Sequence, residues 1–341
     1  MNSQDLKEMV LPPSRILVTG ACGSVGSALM RRLLANGHTV CAFDQSEDGL
    51  FQLDQQLKDG GGRLRMFLGN VRDGDRLRRA MDGVKIVFHC AALKHVYLSE
   101  YNPFEAMQTN IIGTNNVIQA AIATDVERVI LTSSDKAVNP TSTMGATKLL
   151  GERLFIAANH FAGSHKTSFA CVRFGNVLNS NGSVLQIFGR QLDSGLPLTI
   201  TSKDMTRFFI SMSQAVDLCL DGATRMIGGE IFVMSMGSCD IITLAQAVSG
   251  NRPFNVVEIG HKPGEKLYEE LVTENEAPRT VVNGNTYVVL PDTFDMLSGD
   301  VRSKYSVYEG LPRLTAPLRS DQDMLSGSEV VAMLRAAGLT V

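Results

Sequence analysis

Residues 15–44 read RILVTGACGSVGSALMRRLLANGHTVCAFD. The opening run, Arg15 to Thr19, has the apolar, β-branched content of a short buried strand. It meets a glycine loop, Gly20-Ala21-Cys22-Gly23-Ser24-Val25-Gly26. Leu29, Leu33 and Leu34 then recur at helical spacing as far as Gly37, a residue suited to ending a helix. A second apolar run, 39–43, ends at Asp44, 18 residues beyond Gly26. Strand, glycine loop, helix, strand and acid in this order form a dinucleotide-binding pattern in its proper context. The glycines let the backbone turn tightly and bring a pyrophosphate against the free N–H groups of a helix N-terminus. The spacing is GxxGxxG rather than GxGxxG, so the flanking strands and Asp44 carry the inference more than the glycines do. Asp44 would accept hydrogen bonds from the adenosine ribose hydroxyls and repel a 2′-phosphate. NAD is therefore favoured over NADP.

The alternation continues through apolar runs at 64–70 and 85–92, a helical pattern at 104–123, and a strand-like run from Arg128 to Thr132. Residues 133–148, SSDKAVNPTSTMGATK, follow that run and lead into a helix over 145–160. Another strand covers 168–172, before Arg173-Phe174-Gly175-Asn176. Strands alternating with helices imply an α/β fold, a Rossmann-type doubly wound parallel sheet covered on both faces. Ser134, Asp135 and Lys136 should then sit at the end of a parallel strand, where open sheets hold ligands. Met144 and Lys148, four apart, share one helix face. An acid, an amine and a hydroxyl in a row, faced by a second amine, suit proton transfer. An ordinary strand-to-helix loop with a capping function would present the same polar residues.

Beyond Asn176 the pattern loosens, with helices expected near 184–192, 214–225 and 328–337 and strands near 198–201 and 230–236. The expected division is an NAD-binding domain over 1–176 and a smaller substrate-binding lobe with a tail over 177–341, the lobe not being a separate folding unit. The chain has 341 residues, 44% hydrophobic and 20% charged, with a net charge of −3. That balance gives no electrostatic reason to expect nucleic acid or an anionic membrane as a partner. Six scattered cysteines without a CxxC pair read as reduced core residues, not as disulfides or metal ligands. There is no long apolar span and no leader pattern in the first ten residues, so the expectation is a cytoplasmic, soluble protein.

Together, TGACGSVG, HCAALKHV, TNIIGTNNV, SSDKAVNP, MGATK, RFGNV, MTRFFIS, GGEIF and HKPGEKLYEEL resemble the extended short-chain dehydrogenase/reductases. More narrowly they resemble the CapD-like polysaccharide-biosynthesis group, which includes UDP-N-acetylglucosamine 4,6-dehydratases. The resemblance runs from about Arg15 to Pro291, and SDQDMLSGSEV resembles the end of the group's soluble type. It implies a cycle on a UDP-sugar: C4 is oxidised at the expense of NAD, the C5 proton and C6 hydroxyl are eliminated as water, and the hydride returns to C6. Asp135 would be the acid for the leaving hydroxyl and Lys136 the C5 base, with burial raising the pKa of the first and lowering that of the second. Ser134 or Ser133 would bond the sugar hydroxyl, and Lys148 the nicotinamide ribose.

The cofactor set implied in this way comprises Gly20, Gly23, Ser24, Val25, Gly26, Asp44, Asn70, Val71, Ala91, Ala92, Lys94, Asn110, Ser133 and Lys148. The substrate set comprises Lys94, Asn176, Ser183, Val184, Thr206, Arg207, Lys262 and Glu265, in which Arg207 and Lys262 would answer the diphosphate. The resemblance also implies a homo-oligomer, a dimer or larger, joined through the long helices. One departure stands in the catalytic set. Most short-chain dehydrogenases have tyrosine four residues before the lysine, whereas here Met144 occupies that place, and a thioether takes no proton. Asp135, Lys136 or a water relayed through Lys148 are candidates for the missing base. A UDP-sugar C5 epimerase, an epimerase/dehydratase and a non-catalytic nucleotide-binding module are the competing readings.

No Arg or Lys lies in residues 45–50 to receive a 2′-phosphate. The protein should therefore bind NAD more tightly than NADP, and Asp44→Ala should narrow the gap. A fluorescence titration with both dinucleotides checks this, and tighter NADP binding by the native protein would contradict it.

Overall fold

The computed structural model describes residues 11–161, 165–293 and 299–339; the leader reading, made on the first ten residues, lies outside them. Six strands come first: β1 (Arg15–Thr19), β2 (Thr39–Asp44), β3 (Leu64–Leu68), β4 (Ile86–His89), β5 (Arg128–Ser134) and β6 (Ser168–Phe174). They pair in parallel in the order β3-β2-β1-β4-β5-β6. The order reverses between β1 and β4, which opens a crevice at their C-terminal ends. Ile16, Leu17 and Val18 are wholly buried on successive faces, as is required of a strand covered from both sides.

The connecting helices are α1 (Ser24–Ala35), α2 (Glu47–Gln56), α3 (Gly74–Ala80), α4 (Val96–Tyr101), α5 (Pro103–Met107), α6 (Gly113–Ala123) and α7 (Thr143–Phe161). Leu29, Met30 and Leu33 of α1 pack on one face of the sheet. Leu77 of α3, Val117 and Ile118 of α6 and Phe155 of α7 pack on the other. The helix read at 104–123 is interrupted by a π turn at Gln108–Ile112. Such turns add a residue to the helical repeat and are frequent at functional sites. Here the turn carries Asn110, whose side chain bonds the chain following β4.

Downstream strands are β7 (Asn176–Val177), β8 (Leu198–Ile200), β9 (Thr206–Ile210), β10 (Ile231–Met234), β11 (Ser238–Asp240), β12 (Val256–Glu258), β13 (Glu270–Val272), β14 (Thr280–Asn283), β15 (Thr286–Val289) and β16 (Leu318–Arg319). The helices there are α8 (Val184–Asp193), α9 (Met212–Arg225), α10 (Ile241–Ser249), α11 (Gly299–Lys304) and α12 (Gly327–Ala336). The division in space does not follow residue 176. β10 adds in parallel to β6, and the β14–β15 hairpin adds antiparallel beyond it, completing nine strands. The reason is compositional: Ile231, Phe232 and Val233 are as apolar and as buried as the earlier parallel strands. What remains forms a small lobe over the strand ends. Its core joins Leu185 and Phe188 of α8, Leu244 and Val248 of α10, and Val330 and Leu334 of α12.

Arg173, near the end of β6, ties the main sheet and α7 to the segment that follows β13. Its guanidinium is buried and spends all five N–H donors. Nε and Nη2 donate to the two oxygens of Glu152 on α7 at 2.8 and 2.7 Å. Nη1 and Nη2 donate to the two oxygens of Glu276 at 2.9 Å each, and Nη1 also donates to the Leu271 carbonyl at 3.0 Å. Burial alone would raise the Glu276 carboxyl, but Arg173 outweighs it and holds the group below its ordinary pKa. Among the described residues, no helix is long and apolar enough to cross a membrane.

Removing Arg173 strands the buried Glu152 carboxylate and leaves Glu276 with Arg279 alone, 3.8 Å away. Arg173→Met should therefore destabilise the fold by ~3–5 kcal/mol. Urea denaturation measures this, and a loss below ~1 kcal/mol, the worth of a surface pair, would contradict the clamp.

Candidate functional site

The glycine loop between β1 and α1 is closed to side chains. Gly20 has φ +66°, and a Cβ there would lie 2.6 Å from the Ala91 nitrogen; one on Gly26 would lie 2.2 Å from the Gly20 oxygen. Gly23 caps α1 with extended backbone and no side chain to satisfy the first N–H groups. These donors face the crevice, which suits a diphosphate. At the end of β2, Asp44 Oδ2 accepts from the Cys22 N–H and Oδ1 from the Ser46 N–H, each at 3.0 Å. A hollow of about 190 Å³ beside it is lined by Gly20, Gly23, Asp44, Asn70, Val71, Ala91 and Ala92 among others. Asn70 shapes its rim, accepting from the Arg72 N–H and donating to Gln45. These residues fit a dinucleotide: a groove no Cβ could share, an uncapped helix start, and an oriented acid at the strand end.

A larger cleft of about 710 Å³ adjoins it and runs from the loop residues Ser24, Val25 and Gly26 into the small lobe. Ser133, Ser134, Asp135, Lys136, Met144, Lys148, Lys94, Asn176, Ser183, Val184, Arg207, Lys262 and Glu265 all line it. Asn181 crosses the glycine loop here, its N–H donating to Ser24 Oγ while its carbonyl accepts from Lys94 Nζ at 2.7 Å. Two residues of the sequence-derived set lie elsewhere. Thr206 is buried against Ser320, with the two hydroxyl oxygens 2.8 Å apart. Asn110 uses its amide on the protein: it accepts from the Leu93 N–H and donates to the Leu93 carbonyl and Thr147 Oγ1. It therefore fixes the loop after β4 against α7.

At the end of β5 the chain forms a 3-10 turn, Asp135–Ala137, capped by Ser134, whose Oγ accepts from the Lys136 N–H. Asp135 is fully buried; Oδ1 accepts from Lys136 Nζ at 3.0 Å, while Oδ2 has no partner, and nor does the buried Ser133 Oγ. Lys136 Nζ also lies 3.4 Å from Asn176 Oδ1 and 3.9 Å from Glu269 Oε1. Burial raises the Asp135 carboxyl above its ordinary pKa, opposed by Lys136 and helped by Glu269.

For Lys136 the expectation is overturned. Burial works to lower its ammonium, but Asp135 and Glu269 together outweigh burial, and its pKa is raised. The lowered lysine is Lys148, depressed by burial while its Nζ donates to the Thr132 carbonyl at 2.9 Å. Behind it, His89 is pushed down to about 3 by burial and then by Lys148. The ring is neutral between Thr19 and Thr114. Met144, at the position where most short-chain dehydrogenases carry tyrosine, is buried. Among the described residues, no tyrosine lines either hollow.

Glu269 was missed in the sequence, although HKPGEKLYEEL contains it. Charged residues crowded among apolar ones were the only signal, and no local pattern couples Glu269 to a lysine on the turn after β5. Arg207, read as a phosphate partner, donates to the Thr206 and Leu267 carbonyls, and its Nε lies 3.8 Å from Glu269 Oε1.

A doubly wound sheet with a groove that fits a dinucleotide, beside an acid–amine couple on a cleft wall, is an enzyme's architecture, and the relatives named next make it one of the nucleotide-sugar dehydratase and epimerase kind. The family model for polysaccharide biosynthesis protein matches residues 16–291, and the chain belongs to that family. It is 48% identical over 286 residues to an uncharacterized membrane protein, MJ1061, of Methanocaldococcus jannaschii, covering 81% of this chain and 85% of that one. It is 40% identical over 277 residues to UDP-N-acetylglucosamine 4,6-dehydratase (inverting) of Campylobacter jejuni, covering 81% and 82%. UDP-glucose 4-epimerase of Rickettsia bellii is similar as well, 38% identical over 288 residues, covering 82% and 84%. Among solved structures, Pen from Bacillus thuringiensis superposes with a TM-score of 0.88 at 35% identity, covering 96% of this chain and 99% of that one.

Proposed function

We propose that this protein is an NAD-dependent nucleotide-sugar 4,6-dehydratase whose substrate is UDP-N-acetylglucosamine and whose product is a 4-keto-6-deoxy sugar. The observation that carries the reading is the couple of fully buried Asp135 and partly buried Lys136, 3.0 Å apart, on the wall of the cleft that adjoins the dinucleotide groove. A couple that exchanges one proton internally can take a proton and give one in a single event. A redox enzyme that only oxidised or reduced C4 would have no use for it.

The glycine loop and the start of α1 would hold the diphosphate of NAD, Asp44 its adenosine ribose and Lys148 its nicotinamide ribose. Bound NAD supplies the hydride acceptor at C4 and the hydride donor at C6. With the C4 ketone formed, the C5 hydrogen is acidic. In the tautomer with a carboxylic acid at Asp135 and a free amine at Lys136, the amine takes the C5 proton and the carboxyl protonates the C6 oxygen. The C6–O bond breaks and water leaves. The couple is then carboxylate and ammonium, and the ammonium returns a proton to C5 as hydride reaches C6. The proton of the C4 hydroxyl passes to solvent in the first step, and a proton from solvent returns Asp135 to its acid form in the last, so the sugar loses one water and the enzyme is unchanged. Burial favours this exchange, because low polarity reduces the advantage of the ion pair over the neutral pair. Ser133 Oγ and Asp135 Oδ2, buried without partners, are available to the sugar. Lys94 and Lys262 are the cleft cations offered to the substrate diphosphate.

Asp135→Asn separates the steps. The amide is nearly isosteric but supplies no comparable acid, so water loss should slow by ~10²–10⁴-fold. Oxidation at C4 should survive, and the absorbance of reduced nicotinamide should rise and persist when substrate meets the NAD-loaded variant. Loss of that absorbance would instead make Asp135 the acceptor of the C4 proton, in place of the tyrosine that Met144 replaces.

A further inference from the structure

Glu269 does not line the cleft, yet three cations converge on it. Oε1 lies 3.9 Å from Lys136 Nζ and 3.8 Å from Arg207 Nε, and Oε2 lies 3.0 Å from Lys266 Nζ. The carboxylate is buried. Its backbone is fixed on both sides by the tail segment: the Glu269 N–H donates to Ser320 Oγ at 2.8 Å, and the Ser320 N–H donates to the Glu269 carbonyl at 2.9 Å. Ser320 Oγ in turn reaches the Thr206 carbonyl on β9. Lys266 Nζ also donates to the Val138 carbonyl, so the segment before β13 is fastened to the very turn that carries Asp135 and Lys136. A surface ion pair needs none of this. Taking a carboxylate out of water costs free energy that only close opposite charges offset, and here those charges include Lys136.

We propose that Glu269 is a positioning residue for the Asp135–Lys136 couple, holding the Lys136 ammonium between Asp135 and Asn176 and keeping the couple supplied with its shared proton. The role rests on the dehydratase reading, but its test does not depend on that reading alone. Lys136 faces Asp135 from its own turn, Arg207 from β9, and Glu269 and Lys266 from the segment before β13; β7 offers it only the neutral Asn176. Removing the Glu269 charge withdraws attraction from Lys136 and repulsion from Asp135. Arg207 and Lys266, left uncompensated, act in the same direction. Both members of the couple should then lose their protons at lower pH.

The experiment uses the full chain, labelled with lysine carrying carbon-13 at Cε. The Lys136 resonance is assigned by its loss in Lys136→Arg, and it is titrated in the native protein, Glu269→Gln, Glu269→Asp and the charge-balanced double variant Glu269→Gln/Lys266→Met. The pH profile of water loss from UDP-N-acetylglucosamine is recorded beside it. The Lys136 midpoint should fall in Glu269→Gln and in the double variant, and remain nearer the native value in Glu269→Asp. Both limbs of the rate profile should move to lower pH, with a loss on the order of 10-fold on the alkaline side of the native optimum. An unchanged midpoint in Glu269→Gln would overturn the proposal. So would a native midpoint in the double variant, since Glu269 would then serve only to neutralise Lys266. If the native protein dehydrates no nucleotide sugar, the dehydratase reading fails, while the Lys136 titration still decides for or against Glu269.

Discussion

The double fork on Arg173 is the interaction on which the arrangement of this molecule depends. It is the point where β6, α7 and the segment between β13 and β14 are tied together. Two of the three deliver a residue to the cleft, and the third leads back to Glu269 behind its wall. Three residues beyond Arg173 the chain presents Asn176; one turn before Glu152, α7 presents Lys148; and the chain leading into β13 presents Glu269. A guanidinium suits the place because its planar fork satisfies two carboxylates at once, which a lysine ammonium cannot do. The cost of burying three charges is met by completeness, since every N–H donor of Arg173 has an acceptor.

A second charged cluster, around Lys136, is built differently. Two carboxylates and three cations share it, and two carboxylate oxygens make no hydrogen bond: Glu269 Oε2, which has only the Lys266 ammonium at 3.0 Å, and Asp135 Oδ2, which has no partner at all. Structural networks such as that of Arg173 are saturated. A buried group with spare hydrogen-bonding capacity on a cleft wall is the kind of exception that points to chemistry. The contrast between the two clusters separates scaffold from site without reference to any relative.

The alternation of strands and helices from Arg15 to Phe174 was legible because parallel strands are buried on both faces and so read as unbroken apolar runs. The glycine loop was legible because its requirements are local: Gly20 and Gly26 are dictated by backbone contacts within the loop and with the next strand. The place of β10 was not legible, since an apolar run of four residues does not say which sheet it joins. Thr206 looked like a cleft residue beside Arg207, but alternation along β9 turns it inward to Ser320. Asn110 gave no sign that a π turn would aim its amide at the Leu93 backbone. The pKa of Lys136 was misjudged because burial was weighed without the pull of the neighbouring Asp135, to which Glu269 adds from a distant segment. Apart from that pairing, what failed to read was a contact between parts of the chain far apart in sequence.

The central claim is that the couple at the end of β5 removes water from a nucleotide sugar after transient oxidation at C4. Incubation of the native protein with NAD and UDP-N-acetylglucosamine in deuterated water, followed by mass spectrometry and proton magnetic resonance, tests it most directly. The account predicts a product lighter by one water, with a C6 methyl group and deuterium at C5. A product of unchanged elemental composition, inverted at C4 or C5 and keeping its C6 hydroxyl, would contradict it and make the protein an epimerase.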